Sequence, residues 1–500
     1  MSFSSLFFII CFLPVYLLIY LLVPGLSRKN VVLLVFSLLF YAFGGLGYLV
    51  LLVAESAAAW FLALQMDKED VSQIMRKRYL IISIAVFLGL LVIFKYTNFV
   101  LGSFASLFRI SWDGLRIAMP LGVSFYTFKL ISYTADVYNR KINAEKSFFI
   151  VLLYTAMFHN ILQGPIVRFE ETRKEILQRK MNLTTLTHGM FRFLTCLAMK
   201  TLLADACGSI ADKLIPIGGM ASVSTAAVWL GSIFYSLQMY LDFAAYSGMA
   251  VSLGEMVGFH YLENFNYPYI AVSAKDFWKR WHISLSLFFR DYIYIPLGGN
   301  RVSPRRTMLN VLIVWLATGI WHGAAWNFIL WGLMYFVLIT IENEVIRRRK
   351  DYLAAKGIDP ADAAAQRSQT MQILTKIGHV MQHVYIIFFF NLGWLLFRFT
   401  NFGDLGAALK GFFFHSAAGG YNSAVGLTLK NNIFLLIVCI LACTPIARRI
   451  GEFIEDQFET RRISKNYFYG LKTALAVVFL LLSLFAMAGN TYTPFLYNQF

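Results

Sequence analysis

The stretch TMLNVLIVWLATGIWHGAAWNFILWGLMYFVLITI, Thr307 to Ile341, holds one side chain that titrates near neutral pH, His322. Arg305 and Arg306 close it on one side and Glu342 on the other. A run this apolar belongs in a bilayer, where an ionisable group is costly and marks a pathway or a reaction centre. As one straight helix it measures roughly 50 Å at 1.5 Å per residue. The hydrocarbon core is only about 30 Å thick, so the segment must bend, cross twice or re-enter. Gly319 and Gly323 flank the histidine and are where a break is expected. Irregular backbone at membrane depth survives only where protein or a water-filled cavity surrounds it. His322 is therefore either part of a reactive centre or a helix-end histidine satisfied by a backbone carbonyl.

Outward from this stretch the rest of the chain has the same character. Of its 500 residues, 58% are hydrophobic and 17% aromatic. With a mean hydropathy of +0.62, this is a polytopic membrane protein and not a soluble domain with an anchor. Apolar segments recur near residues 5–23, 31–43, 48–65, 79–111, 149–167, 190–215, 223–251, 308–340, 376–398, 431–446 and 471–489. They predict an all-α fold of about eleven crossings with re-entrant and interfacial pieces, in a single domain over residues 1–500. The first segment is too long and uniform for a cleaved signal and is expected to be retained. Cys11, Cys196, Cys207, Cys439 and Cys443 lie mostly inside apolar runs without CxxC spacing, so neither a disulfide framework nor a metal site is expected.

The net charge of +17 needs no nucleic-acid partner. Arg76-Lys77-Arg78, Arg347-Arg348-Arg349-Lys350, Arg448-Arg449 and Arg461-Arg462 sit in short loops between spans, the pattern of cytoplasmic loops. Arg28 and Lys29 put the first loop inside. Both termini then fall on the outer face, with the sidedness between residues 95 and 170 left open. The same charge suits a polyanionic donor such as a coenzyme A thioester, or anionic lipid headgroups.

Two stretches are too polar to be ordinary spans. RFEETRKEILQRK, Arg168 to Lys180, mixes both charge signs and reads as interfacial. Ser273-Ala274-Lys275-Asp276 is a capping-box pattern that starts a helix just after Ser273. On that helix Trp278, Trp281, Leu285, Phe288 and Phe289 form one stripe, with His282 beside it. The run RDYIYIPLGGNR then reads as extended, ending in a Gly298-Gly299 turn. His282 is a core hydrogen-bonder or part of a site. His379 and His383 have i, i+4 spacing but no acidic base or third ligand, so an interfacial helix end is favoured over a metal. Asp136 and Asp242 are intramembrane carboxylates, functional suspects unless a lysine or tyrosine hydroxyl pairs with them.

FWKRWHISLSLFFRDYIYIPLGGNR (Phe277 to Arg301), followed by TGIWHGAAWNFILWG (Thr318 to Gly332), resembles the motif pair of the membrane-bound O-acyltransferase (MBOAT) family. More narrowly, it is similar to the bacterial alginate O-acetylation branch and its peptidoglycan and teichoic-acid relatives. MPLGVSFYTFKLISYTADVY (Met119 to Tyr138), GPIVRF (Gly164 to Phe169), LQMYLDFAAYSGMA (Leu237 to Ala250), NFNYPY (Asn264 to Tyr269) and GWLLFRF (Gly393 to Phe399) extend the likeness through most of the chain. The resemblance implies a helical shell around a central tunnel, with His322 as the active-site histidine and His282 as the second of the pair. It assigns support of the tunnel or motifs to Trp321, Trp326, Asn327, Asp242 and Tyr246, and Gln163 is expected to share that role. Two departures stand out. MFHNILQGPI replaces a proline-containing run, making His159 and Gln163 local novelties. DFAAYSGMA has Gly248 where relatives have an acid.

Acyl transfer from a thioester needs no metal or prosthetic group. It needs a base for the incoming hydroxyl and a dry, oriented encounter, and a neutral imidazole supplies the base. The chain ends TYTPFLYNQF, with Phe495, Tyr497 and Phe500 in an F-x-Y-x-x-F arrangement over residues 491–500. This resembles a C-terminal motif of envelope acylation systems in which the tyrosine carries the acyl group; an apolar interfacial tail is the alternative. The expectation is a bacterial inner-membrane acetyltransferase moving acetyl from cytoplasmic acetyl-CoA to an extracytoplasmic polysaccharide: an alginate-like exopolysaccharide, cellulose or peptidoglycan. Its expected partners are membrane lipids and a secreted SGNH-type acetyltransferase. A D-alanyl or lipid acyltransferase of the same fold, or a flippase for a lipid-linked sugar, are the alternatives.

Overall fold

Helices fill the chain because its apolar runs must satisfy their own backbone groups where water is absent. The computed structural model describes residues 1–115, 117–357, 369–460 and 465–489, and every regular element among them is helical. The chain builds two packed bodies. The first takes Met1–Leu202, Asp242–Asn264 and the last helix; the second takes Leu203–Leu241 and the chain from Phe265 up to that last helix.

In the first body run α1 (Leu13–Leu22), α2 (Leu26–Ala42), α3 (Leu46–Met66), α4 (Gln73–Leu107), α5 (Val123–Tyr138), α6 (Phe148–Ala156), α7 (Phe169–Gln178) and α8 (Leu183–Ala198). A π-helical turn, Met199–Ala204, leads into α9 (Asp205–Leu214) of the second body, and α10 (Thr225–Met256) follows, its first half in the second body and its last turns from Asp242 in the first. The second body continues with α11 (Ala274–Arg280), α12 (Ile283–Phe289), α13 (Pro304–His322), α14 (Trp326–Ala355), α15 (Gln369–Arg398), α16 (Phe402–Phe413), α17 (Ser423–Ala442) and α18 (Ile446–Thr460). The last helix, α19 (Lys465–Gly489), packs along α8 in the first body.

Seven stretches among the described residues are long and apolar enough to cross a bilayer: α3, α4, Leu183–Leu214, α14, Lys376–Arg398, α17 and Tyr467–Gly489. The expected crossing at 149–167 is interrupted. Helix α6 stops at Ala156, a one-turn helix Phe158–Ile161 follows, and the GPI loop comes next. Within the first body the ends of α4 and α5 meet. Arg76 at the start of α4 donates to the carbonyls of Val137 and Tyr138, each at 3.1 Å, capping the end of α5. The Asp67 carboxylate accepts from Ala144 N–H at 2.9 Å. The loop after α5 therefore lies beside the start of α4, where Arg76-Lys77-Arg78 stand.

Two expectations are corrected in the second body. The helix begun at Ser273 does not run on through Phe289; it breaks at Trp281 and His282, and His282 adopts φ +43°, ψ +57°. The segment after it is not extended. A π-helical turn, Arg290–Tyr294, and then tight turns carry the chain to the Gly298-Gly299 corner.

The long apolar stretch is a helical hairpin. Its two arms approach so closely that a Cβ on Gly319 would stand 2.5 Å from the Phe328 carbonyl oxygen, and one on Gly332 2.5 Å from that of Trp315. Backbone cannot move aside as a flexible side chain can. Gly319→Ala should destabilise the protein by about 1–3 kcal/mol through overpacking. Gly89→Ala, where nothing lies within 4 Å, should be neutral or slightly stabilising. Thermal unfolding of both variants in detergent checks the contrast, and equal melting temperatures would contradict the close packing.

Candidate active site

His322 closes α13, and Gly323 follows in extended backbone at φ −173°, ψ 159°. A Cβ on Gly323 would lie 2.1 Å from the Phe328 ring, so only glycine lets the chain reverse this tightly. The imidazole is 1% exposed. Trp331 stands edge-on to it at 4.9 Å between ring centroids, Phe397 at 5.3 Å, and its neighbour Trp321 at 4.9 Å. The expected break thus falls at Gly323, while Gly319 stays helical.

His282 reaches the same place from another element. Ser273 Oγ accepts from Asp276 N–H at 3.0 Å and starts α11 as the capping pattern requires. Glu342 of α14 completes the cap, accepting from the N–H groups of Ala274 at 2.6 Å and Lys275 at 3.1 Å. The positive end of the short helix favours this carboxylate. Asn343 binds the Lys275 ammonium at 2.7 Å, so α11 is tied to α14 twice. The chain then turns left-handed at His282, whose carbonyl accepts from Leu285 and Ser286 N–H to begin α12. A non-glycine residue in this region is strained, and such strain gathers at functional sites. The His282 ring lies 5.9 Å from Trp321, so both histidines border one indole. His282 lies outside the candidate spans, and burial pushes its imidazole down to about 3, keeping it neutral.

The remaining second-body residues divide. Asn327 is buried and donates to the carbonyls of Leu396 and Phe397, each at 3.1 Å, fastening α14 to the end of α15. Trp326 is 50% exposed at the start of α14, so Trp331, one and a half turns on, forms the wall against His322. Neither Trp331 nor Phe397 stood out in the sequence. Their common signal is apolar position alone. His383 meets the Ala271 carbonyl at 3.0 Å through Nδ1, as a helix histidine satisfied by backbone. Among the described residues no group of three histidine, cysteine or acidic side chains is arranged to hold a metal.

Gln163, Asp242 and Tyr246 belong to the first body. Asp242 pairs with Lys200 at 3.1 Å, both nearly inaccessible, and Lys200 lies on the π-helical turn. Tyr246 stacks on Phe3 at 4.8 Å and accepts from its N–H at 3.5 Å. Gln163 is buried in the GPI loop, near which His159 Nδ1 meets the Tyr261 hydroxyl at 2.9 Å. Asp136 pairs with Lys141 at 3.2 Å. A Cβ on Gly248 would sit 2.5 Å from the sulfur of Cys196, so Cys196 fills the space a larger residue would need. Tyr497 lies outside the described residues.

The structure is thus a helical membrane protein in which two buried histidines lie beside one indole. Residues 36–356 fit the model of MBOAT, the membrane-bound O-acyltransferase family, and the chain belongs to that family. It is 30% identical to the protein of Pseudomonas putida named "Probable alginate O-acetylase AlgI" over 100% of both chains. The protein of the same name from Pseudomonas aeruginosa is 34% identical, over 80% of this chain and 72% of its own. A Helicobacter pylori "Peptidoglycan O-acetyltransferase" is 30% identical, over 82% of this chain and 79% of its own. The chain is thus a multi-pass membrane acyltransferase.

The Lys200–Asp242 pair permits a decision about Asp242. Removing one partner of a buried pair strands the other charge at about 3–5 kcal/mol. Asp242→Ala should therefore lose folded protein, and Lys200→Met/Asp242→Leu should recover it. If the recovered double variant also regains acyl transfer, Asp242 is structural; a folded but inactive double variant would instead make the carboxylate functional.

Proposed function

We propose that the protein takes acetyl from acetyl-CoA at the cytoplasmic face of a bacterial inner membrane and delivers it for O-acetylation of an extracytoplasmic polysaccharide. The reading is carried by one observation: His322, buried at the end of a reversed helix, shares the Trp321 wall with His282. The alignment with alginate O-acetylases supports an alginate-like polymer, and the Helicobacter pylori relative supports peptidoglycan as the second choice. Positive charge on Arg76-Lys77-Arg78 and the loop after α5 supports a cytoplasmic location for that side.

In this mechanism neutral His322 accepts the proton of the incoming hydroxyl as its oxygen attacks the thioester carbonyl. The tetrahedral intermediate collapses, the carbon–sulfur bond breaks, and the imidazolium returns its proton to the departing thiolate. General-base help of this kind is worth ~10²–10⁴-fold. His282, neutral and fixed by the break between α11 and α12, orients the acceptor or polarises the carbonyl. The immediate acceptor is Tyr497, whose phenol needs a base at neutral pH and whose aryl ester transfers onward readily. A secreted SGNH-type acetyltransferase then moves the acetyl group to the sugar.

His322→Ala should reduce acetylation by at least ~10²-fold while the protein stays folded and inserted. His282→Ala should slow turnover per folded molecule without abolishing acetyl-CoA binding. Release of free CoA by purified protein, with melting temperature measured alongside, checks both. Near-normal release from folded His322→Ala would remove His322 from the chemistry.

Tyr497→Phe keeps the ring and removes only the oxygen. Acetylation of the polymer should be lost while expression is unchanged, as read by mass spectrometry of envelope polymers. Full acetylation in that strain would exclude the tyrosine relay and leave the immediate acceptor to be found elsewhere.

A further inference from the structure

In the first body, the loop between α5 and α6 and the first turns of α7 enclose an open cleft of about 430 Å³. Its charged lining is Lys141, Lys146, Arg173 and Lys174 with Glu145 and Glu170. Three of the cations have carboxylate partners: Lys141 with Asp136 at 3.2 Å, Lys174 with Glu170 at 2.8 Å, and Arg173 with Glu145. Lys146 is exposed and pairs with no carboxylate among the described residues. Four cations thus face three carboxylates, and one positive charge is left over.

Protein contacts alone hold the cleft in shape. The Glu145 side chain is 6% exposed; it binds Arg173 Nε and accepts from Ser147 N–H at 3.0 Å. Glu145 N–H donates to the Tyr133 hydroxyl at 3.0 Å, and the Tyr133 ring packs on Phe169 of α7 at 4.5 Å between centroids. Loop and helix are therefore fixed against the same side chains. Only Nε of Arg173 meets a protein acceptor among the described residues, which leaves its two terminal nitrogens to line the cleft. A guanidinium edge of this kind matches two oxygens of a phosphate, and a neighbouring lysine adds a point charge.

Trp60 sets the depth of the cleft. It lies on the span α3, six residues before that helix ends at Met66. Its indole N–H donates to the Lys146 carbonyl at 3.2 Å, and its ring packs on Phe148 at 5.6 Å. Tryptophans near the ends of spans gather at the level of the lipid headgroups. Phosphodiesters are concentrated there, and each carries the single negative charge that the cleft lacks.

We propose that this cleft binds a phosphate-bearing anion, its oxygens taken by Arg173 and Lys146, and that the source is the headgroup of an anionic membrane lipid. Full-length protein in detergent, titrated with short-chain phosphatidylglycerol or phosphatidylcholine and read by native mass spectrometry, tests the assignment. One phosphatidylglycerol should bind in preference to phosphatidylcholine. Lys146→Ala should weaken that binding about fivefold, the worth of one lysine at an anionic surface. Arg173→Lys, which keeps a cation for Glu145 and loses the planar edge, should weaken it as well. Lys77→Ala removes an equal charge from the start of α4, outside the cleft lining, and should leave binding unchanged. Equal losses from Lys77→Ala and Lys146→Ala would overturn the site in favour of a diffuse surface charge, and so would full binding by both cleft variants. Equal binding of the two lipids would overturn the lipid source. If sodium phosphate then raises the melting temperature of wild type and not of Lys146→Ala, the ligand is soluble phosphate; if it raises neither, the anion site falls too.

Discussion

The second body depends on how closely α13 and α14 approach one another. In lipid there is no hydrophobic gain from pressing two apolar helices together, so association relies on close packing and small residues at the contact. Gly319 and Gly332 bring each helix against the other's backbone, with no space for a methyl group at either position. That contact forces the chain to reverse within Gly323, Ala324 and Ala325. The reversal ends α13 at His322 and turns Trp331 and Phe328 back toward it. The histidine's position is thus a consequence of helix packing.

Helix α14 also locates the other histidine. Trp331 walls His322, and Glu342 caps the helix that leads to His282. These two residues are eleven apart, roughly 16 Å along the axis at 1.5 Å per residue. A single rigid element therefore sets the positions of two side chains that arrive on different stretches of chain. Asn327 and Lys275 extend the same logic, joining α14 to the end of α15 and to α11. Sites carried on packed helices hold their geometry more tightly than sites on loops. Here the helix packing and the histidine geometry share the same residues.

What the sequence disclosed were features written locally. Ser273 and its cap, the glycine break beside His322 and the isolation of that histidine are all signals within a few residues. The break at His282 was hidden because Trp278, Trp281, Leu285 and Phe288 keep apolar spacing across it. Periodicity reports which side chains are buried, and a single left-handed residue leaves that pattern readable as one helix. Residues Arg290–Tyr294 looked extended because Tyr292, Ile293 and Tyr294 favour strands, a preference overridden by tertiary packing. Partners distant in sequence were illegible for a simpler reason. Lys200 precedes Asp242 by 42 residues and Glu342 follows Ala274 by 68, and no local pattern links such pairs. The choice of Trp331 over Trp326 as the wall needed the turn of α14, which begins at Trp326 and so leaves that residue half exposed.

On the proposed function, the aromatic surroundings of His322 bear on the chemistry through what they exclude. A thioester is activated toward any nucleophile, and water is the most abundant competitor. An imidazole able to deprotonate an alcohol is also able to deprotonate water. Selectivity for the intended acceptor must therefore come from keeping water away, which is one service of a closed site. Trp321, Trp331 and Phe397 pack around the ring and leave it 1% exposed. Strained backbone at His282 fits this arrangement, since an aromatic shell leaves few ways to introduce a second polar group. A break between α11 and α12 delivers that group through a turn and leaves the Trp278 and Trp281 packing intact on one side and Phe288 on the other. The position of the polar residue is then secured by the apolar residues on both sides of it.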